Sequence, residues 1–335
     1  MNSPSPQDRT DRVTVYLAGS SSTPGSRVVP SEEVDRAFGM PVGKLRKRAG
    51  IESLAYAVDG EDELALGARA AQHALHHAAC PVQDLDWIIA TSETHRAYPS
   101  LAAQLHSRLL ARETCGALDV GGACLGLLNG FAAAHGLLAS GQARTILVVT
   151  ADVHSRILTP ERVAGEFGGL FGDGASAFLL RAAPFSESQP SYQFGKFLFG
   201  CAGQYAGAIR VADSRTQQLD VHFDGEALSR AAITRLEKVI LDLELRSGIP
   251  RSSLAGLATH QPNPRLVSLL AKQCALAEER FPAVARQFGN LGSSTCGVAL
   301  DLLLQSSKAA RPLEPSPIFL ASLGPGLLYG GVWLI

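Results

Sequence analysis

The chain has 335 residues, 46% of them hydrophobic and 18% charged, and a formal net charge of −1. Its length allows one large domain or two of ordinary size, with apolar residues enough for extensive cores. The near-neutral charge excludes a polybasic or polyacidic surface, so neither nucleic acid nor an anionic membrane is expected as a primary partner.

Residues 1–12 are rich in Ser, Pro, Asp and Arg and hold no apolar run, which reads as a disordered leader and not as a signal peptide. Beyond them, strand-like and helical runs alternate in the pattern of α/β layers. Strands are expected over 13–18, 85–90, 117–120, 143–151 and 175–180, and helices over 62–79, 102–110 and 125–138. The stretch 184–190, with its Pro, Ser and Glu, is the best linker and divides residues 13–184 from 185–335. The second half repeats the alternation, with strands over 192–199, 254–259, 317–323 and 328–334 and helices over 228–245, 264–274 and 293–304. The longest apolar runs are broken by Gly, Asn and His and fall short of a membrane span. Six scattered cysteines, with no CxxC pair and no Cys/His zinc spacing, fit a reducing, cytoplasmic compartment and no metal site. His73, His76 and His77 share a helical face, but no carboxylate or Cys completes a metal set, so a solvated face is expected.

Cys124 is the most informative residue. It stands in Asp119-Val120-Gly121-Gly122-Ala123-Cys124-Leu125-Gly126, between a short apolar strand and a nearly uncharged helix. At a helix N-terminus the unpaired N–H groups and the dipole favour thiolate, and the small residues ahead of it admit a substrate. That is the setting of an activated nucleophile. The competing reading is packing, since Cys is among the most buried residue types.

Three further segments sit at strand exits, where functional groups collect. In Thr259-His260-Gln261-Pro262-Asn263-Pro264-Arg265, Asn263 fits an N-cap with Pro264 at the first helical position, which presents His260 from the preceding loop. Gly289-Asn290-Leu291-Gly292-Ser293-Ser294 is a turn-rich start to a helix that would hold the Asn290 amide out of the core. Ser322-Leu323-Gly324-Pro325-Gly326 is a tight turn able to offer N–H groups to an oxyanion.

The ordered set of Cys in a small-residue turn, His-Gln-x-Asn and Gly-Asn-x-Gly-Ser resembles the thiolase superfamily, in its β-ketoacyl-acyl-carrier-protein synthase III branch. Gly50-Ile51 after a basic segment, Thr94-His95-x-x-Tyr98-Pro99-Ser100, Phe171-Gly172-Asp173-Gly174-Ala175 and the Gly324-Pro325-Gly326 turn resemble that branch too. The resemblance implies a five-layered α/β/α/β/α fold from two similar halves, working as a homodimer. It implies that Cys124 carries an acyl group and that the N–H groups of Cys124 and Gly326 form the oxyanion hole. His260 and Asn290 would then stabilise the enolate of a decarboxylating malonyl thioester. Acyl carrier protein or coenzyme A thioesters would be the partners, and no metal or redox cofactor is implied.

Departures from the branch refine these expectations. Arg48 and Arg265 stand where relatives place arginines near the phosphates of coenzyme A or the carrier protein, and a surface role is the alternative for each. The adenine-stacking Trp expected near Lys44 is absent, which favours a carrier-protein donor. Tyr98 corresponds to an aromatic residue that lines the acyl pocket across the dimer, with a core Tyr as the alternative. Glu93 resembles the catalytic glutamate of hydroxymethylglutaryl-CoA synthases and would serve as a base if burial raised its pKa. Degradative thiolase is disfavoured because the terminal turn has no cysteine. Acyl transfer without condensation and a non-catalytic partner subunit are the remaining alternatives, disfavoured by Asn290 and by the full Cys124, His260 and Asn290 set. Primary fatty-acid synthesis and a specialised polyketide or vitamin pathway stay open.

Overall fold

Apolar runs of strand length alternate with helical spacing along the chain, and the computed structural model stacks them in layers. It describes residues 13–163, 165–182, 192–213, 218–310 and 316–335. The strands are β1 (Tyr16–Pro24), β2 (Arg27–Pro30), β3 (Ser53–Tyr56), β4 (Trp87–Thr91), β5 (Gly116–Asp119), β6 (Thr145–Val153) and β7 (Asp173–Arg181). They continue with β8 (Tyr192–Gln193), β9 (Leu198–Cys201), β10 (Ile209–Asp213), β11 (Leu219–Phe223), β12 (Gly256–Thr259), β13 (Ile318–Gly324) and β14 (Leu328–Leu334).

One sheet runs in the order β5-β4-β6-β7-β1-β8 and the other in the order β12-β13-β14-β9. In the first, β4 is parallel to β5 and β6, whereas β7 is antiparallel to β6 and β1. In the second, β12 and β13 are parallel and the rest antiparallel. All nine residues of β6 and of β7 are buried, so the apolar runs 146–149 and 177–180 do not alternate with polar residues, because both faces are covered.

Helices Glu63–His77 and Leu101–Leu109 cover the outer face of the first sheet. Helices Gly126–Ala139 and Ser294–Ala310 fill the space between the sheets, and Gly225–Ser247 and Pro264–Gln273 cover the second. The result is the α/β/α/β/α stack. Gly126–Ala139 is mostly apolar and buries Leu127, Leu128, Phe131, Ala134 and Leu138 between the sheets. Its Phe131 meets Phe178 and Phe194 edge to face at 5.2 and 5.3 Å, and truncating so buried a ring costs about 3–5 kcal/mol.

The structure differs from the sequence reading at residues 192–199, which are two strands in different sheets. β8 extends the first sheet through Leu17, and Phe194 bridges to Leu334 of the second. At Gly195 the backbone lies against the Trp333 ring, where an added Cβ would fall 2.0 Å from it. The first sheet is therefore completed by residues beyond the expected boundary. The linker itself and the leader lie outside the described residues. The hairpin β10–β11 and the pair β2–β3 carry no strong sequence signal.

Candidate active site

The turn after β5 is built from small residues for steric reasons. Gly122 has φ +128°, and a Cβ there would fall 2.3 Å from the Asn129 amide, which itself donates to the Gly121 carbonyl at 2.9 Å. Ala123 follows at φ +48°, an uncommon value for a non-glycine residue. The single turn Ala123–Leu125 then leads into helix Gly126–Ala139. Ser322 Oγ donates to the Cys124 carbonyl at 3.0 Å, tying the end of β13 to the nucleophile turn. Gly324 packs against the Gly122 carbonyl and the Leu125 N–H. The Gly324-Pro325-Gly326 turn thus lies against the Cys124 turn.

Cys124, His260 and Asn290 come from three distant parts of the sequence and line one cavity of about 520 Å³. They are 8, 4 and 5% exposed, so their chemistry is governed by one another and not by water. The Asn290 amide is oriented by its neighbours: its Oδ1 accepts from the Gly292 N–H at 3.0 Å and from Thr295 Oγ1 at 3.2 Å. The NH₂ group is left as a donor for the cavity. Burial, with the like charge of His154, pulls the His260 pKa down to about 4 against the opposing pull of Glu93, so the imidazole is neutral near pH 7. Its Nδ1 is buried with no hydrogen-bond partner among the described residues.

Glu93 lines the same cavity, and so does a residue that the sequence reading passed over, His154. His154 Nδ1 faces the Gly172 carbonyl at 3.2 Å, which fixes the proton on that nitrogen, and Nε2 faces Glu93 Oε2 at 3.5 Å. Its ring lies 4.7 Å from that of Phe171. The space it occupies exists because residue 292 is glycine: a Cβ there would fall 2.4 Å from the ring.

Asp152, also missed, organises the loops. Its Oδ1 accepts from the Glu93 N–H at 2.5 Å and from Ser92 Oγ at 3.2 Å. Its Oδ2 accepts from the Ser293 N–H at 2.9 Å and Oγ at 2.6 Å. One carboxylate therefore fixes the Glu93 loop against the Asn290 loop. The signal was available: Asp152-Val153-His154 closes a strongly apolar strand, the same kind of strand exit as the other three segments.

The electrostatics overturn two expectations. Burial and the nearby Glu93 and Asp152 carboxylates push the Cys124 thiol well above its usual pKa, outweighing the lowering by the backbone. Cys124 is a thiol at rest and not the expected thiolate. For Glu93, burial works upward, but the hydrogen bond and charge of His154, with Cys124 and His260, bring the net shift down. His154 moves the other way: burial lowers it, yet Glu93 and the Asp152 and Asp173 charges raise it to about 9. Glu93 and His154 are an ion pair.

The remaining expected site residues lie elsewhere. Tyr98 is 99% exposed, which excludes the core alternative and keeps it out of the cavity of its own chain. Asn263 caps helix Pro264–Gln273 by accepting the Leu266 N–H at 3.0 Å, so its oxygen is committed to the backbone and not to a substrate. Arg48 is exposed, and Arg265 donates to the Lys47 carbonyl; neither lines the cavity, and both belong to one surface joining segment Leu45–Ala49 to that helix. Gly326 adjoins the cavity-lining Gly324 and Pro325. Lys44, where the Trp is missing, pairs with Glu166 at 3.1 Å. His77 faces the Ser20 carbonyl, and no metal-binding cluster occurs among the described residues. Among them, no helix is long and apolar enough to cross a membrane.

The profile described as 3-Oxoacyl-[acyl-carrier-protein (ACP)] synthase III matches residues 118–203, and that of the synthase's C-terminal domain matches residues 245–334. Together they span more than half of the chain. The β-ketoacyl-[acyl-carrier-protein] synthase III of Granulibacter bethesdensis is 27% identical over 335 residues, covering 95% of this chain and 98% of that protein. The crystal structure of 3-oxoacyl-(acyl carrier protein) synthase III from Pseudomonas aeruginosa superposes with a TM-score of 0.83 at 25% identity, covering 96% of this chain and 98% of that one. A priming β-ketosynthase from a polyketide biosynthetic pathway shares the fold, with a TM-score of 0.85 at 24% identity over 100% of this chain and 98% of that one.

Proposed function

This chain belongs to the 3-oxoacyl-[acyl-carrier-protein] synthase III family and is an acyl-transferring condensing enzyme; from that premise we propose a decarboxylating Claisen condensation. Cys124 takes an acyl group from a thioester. A malonyl thioester then loses carbon dioxide, and its enolate attacks the acyl-cysteine to give a β-ketoacyl thioester. The observation that carries this reading is the convergence of the Cys124 thiol, a neutral His260 and the donor end of Asn290 on one cavity. Neutral donors in a dry site stabilise an enolate without first binding the malonyl carboxylate too tightly. The N–H groups of Cys124 and Gly326 complete the site as the oxyanion hole for acyl transfer. All steps are assigned to protein groups, with no metal or redox cofactor.

A carrier-protein thioester is the proposed donor. The adenine-stacking Trp is absent near Lys44, which pairs with Glu166, whereas the Arg48 and Arg265 surface suits a phosphate. The molecule is read as a homodimer, with the exposed Tyr98 directed to the second copy. One second reading has an observation in its favour: the Glu93 carboxylate shares the cavity with Cys124, so a donor Cα proton could be removed in place of carbon dioxide, as in hydroxymethylglutaryl-CoA synthases.

The test is intact-mass analysis with an acyl thioester and either malonyl- or acetyl-carrier protein. Wild type should gain the acyl mass at Cys124 and release a β-ketoacyl product from the malonyl donor alone. Product from the acetyl donor would favour the second reading. An acyl mass persisting in Cys124→Ser, at Cys80 or Cys296, would overturn the assignment.

A further inference from the structure

The cavity holds more ionisable groups than the condensation needs. Around Cys124 stand Glu93 from the loop after β4, Asp152 and His154 from the end of β6, and His260 from the loop after β12, with Asp173 of β7 acting on His154 from behind. These are three carboxyl groups, one imidazolium and one neutral imidazole. Arg96 and Arg210 also line the cavity but are exposed to water, so His154 is the buried cation beside the carboxylates. A resting thiolate would add a further buried anion next to Glu93 and Asp152, which the low-dielectric site disfavours. The thiol proton must therefore stay inside the cavity as sulfur attacks.

Geometry selects its acceptor. Glu93 Oε2 faces His154 Nε2 at 3.5 Å, while Oε1 is buried with no hydrogen-bond partner among the described residues. The backbone of Glu93 is pinned through its N–H to Asp152, and the ring of His154 is pinned by the Gly172 carbonyl and the bare face of Gly292. One carboxylate oxygen is thus held by a fixed cation, and the other is left for the thiol.

We propose that Glu93 is the catalytic base for acylation of Cys124 and that His154 is the positioning residue that keeps it ionised and aimed. The inference rests on the acyl-cysteine reading above and deepens it. As Cys124 Sγ bonds to the thioester carbonyl carbon, the S–H proton passes to Glu93 and the carbonyl electron pair moves to oxygen. When the carbonyl re-forms, the donor's C–S bond breaks and the departing sulfur takes that proton back. Acyl-cysteine and free donor thiol result, and the charge of the cavity is unchanged throughout.

The experiment has two arms, on wild type, Glu93→Gln and His154→Gln. The first measures the single-turnover rate of Cys124 acylation against pH, by intact mass and peptide mapping. Glu93→Gln should lose about a hundredfold near neutral pH, and its residual rate should climb with pH as thiolate forms. His154→Gln should move the acid limb of the profile to higher pH, because Glu93 is then no longer held down. The second arm titrates the Cys124 thiol by ultraviolet absorbance, with Cys124→Ser as the blank. Glu93→Gln should lower the thiol midpoint while slowing acylation, a pairing that general loosening of the fold does not produce. Unchanged acylation in Glu93→Gln would overturn the proposal. If no protein is acylated at Cys124, the acyl-cysteine reading fails, and an unmoved thiol midpoint in Glu93→Gln still overturns the pairing of Glu93 with the thiol.

Discussion

The two halves line the same cavity with opposite kinds of group. The first contributes Cys124, Glu93 and His154, with Asp152 bonded to the Glu93 N–H beside them, all of which carry charge or a transferable proton. The second contributes His260 and Asn290, both neutral donors at pH 7. The two histidines show the contrast best: each is 4% exposed, yet His154 is raised to about 9 and His260 is lowered to about 4. Burial works downward on both. Only His154 has a carboxylate at its open nitrogen, so the partner and not the depth decides the charge. Acylation and its proton transfer are thus proposed for groups of the first half, and enolate stabilisation for groups of the second.

The largest effect that would break this division comes from the second half. His260→Ala and Asn290→Ala should each lower condensation by about 10²–10³-fold, the usual loss for one oxyanion donor. Both should still accept an acyl group at Cys124, since the bonds proposed for them go to charge that would develop only as carbon dioxide leaves. Separate assays of bound acyl mass and released β-ketoacyl product check this. Equal loss of both steps would merge the two halves into one catalytic unit.

Gly292→Ala sharpens the contrast from the other side. It puts a Cβ at φ +58° and 2.4 Å from the His154 ring, joining backbone strain to displacement of the imidazole. A cost of about 1–3 kcal/mol is expected, measurable by denaturant titration, together with slower acylation. Loss of stability without slower acylation would detach His154 from the chemistry.

How much of this was legible in the sequence follows from what each residue answers to. Cys124, His260 and Asn290 stand in turns whose local chemistry is visible in one dimension: glycines, an N-cap followed by Pro, and an Asn turn. The layers were legible because β6 and β7 each hold a core apolar run, 146–149 and 177–180, and Gly126–Ala139 has no charged residue apart from the ionisable His135. The break between β8 and β9 was not, because its cause is the Trp333 ring, far along the chain. The charge states were hidden for the same reason. A helix N-terminus pointed to a thiolate, but the carboxylates that overrule it are distant in sequence and meet Cys124 only after folding. His154 reads as an ordinary strand-end residue until Glu93 is placed opposite it.

The opposite shifts of the histidines give a pH prediction. His154 is raised from 6.5 to about 9, so its contribution to stability is complete below pH 6.5 and is lost as pH rises through 9. His260 is lowered from 6.5 to about 4, so the unfolded chain binds the extra proton and stability is lost as pH falls from 6.5 through 4. Each proton corresponds to a slope of about 1.4 kcal/mol per pH unit between its two pKa values. The stability gap between wild type and His154→Leu should therefore narrow from pH 6.5 to 9. A gap independent of pH would mean that His154 is neutral and that the cavity holds no ion pair.

The smallest expected effect lies at the rim, where the two halves meet without a division of labour. Arg265 donates to the Lys47 carbonyl, and so ties helix Pro264–Gln273 to the basic segment that carries Arg48. An exposed arginine has little stability to lose, because water screens its contacts. Its contribution should appear in donor recognition instead. If it meets the phosphate of a phosphopantetheine arm, Arg265→Ala should raise the donor KM several-fold, leave kcat nearly unchanged and flatten the salt dependence of kcat/KM. The effect should be the same size for carrier-protein and coenzyme A donors, which share that phosphate. The preference for the carrier-protein donor should persist in the variant, since it rests on the missing adenine platform at Lys44. Measuring kcat/KM for both donors at low and high ionic strength separates the two. A variant that loses the preference while keeping its salt dependence would place donor selection at Arg265 and not at Lys44.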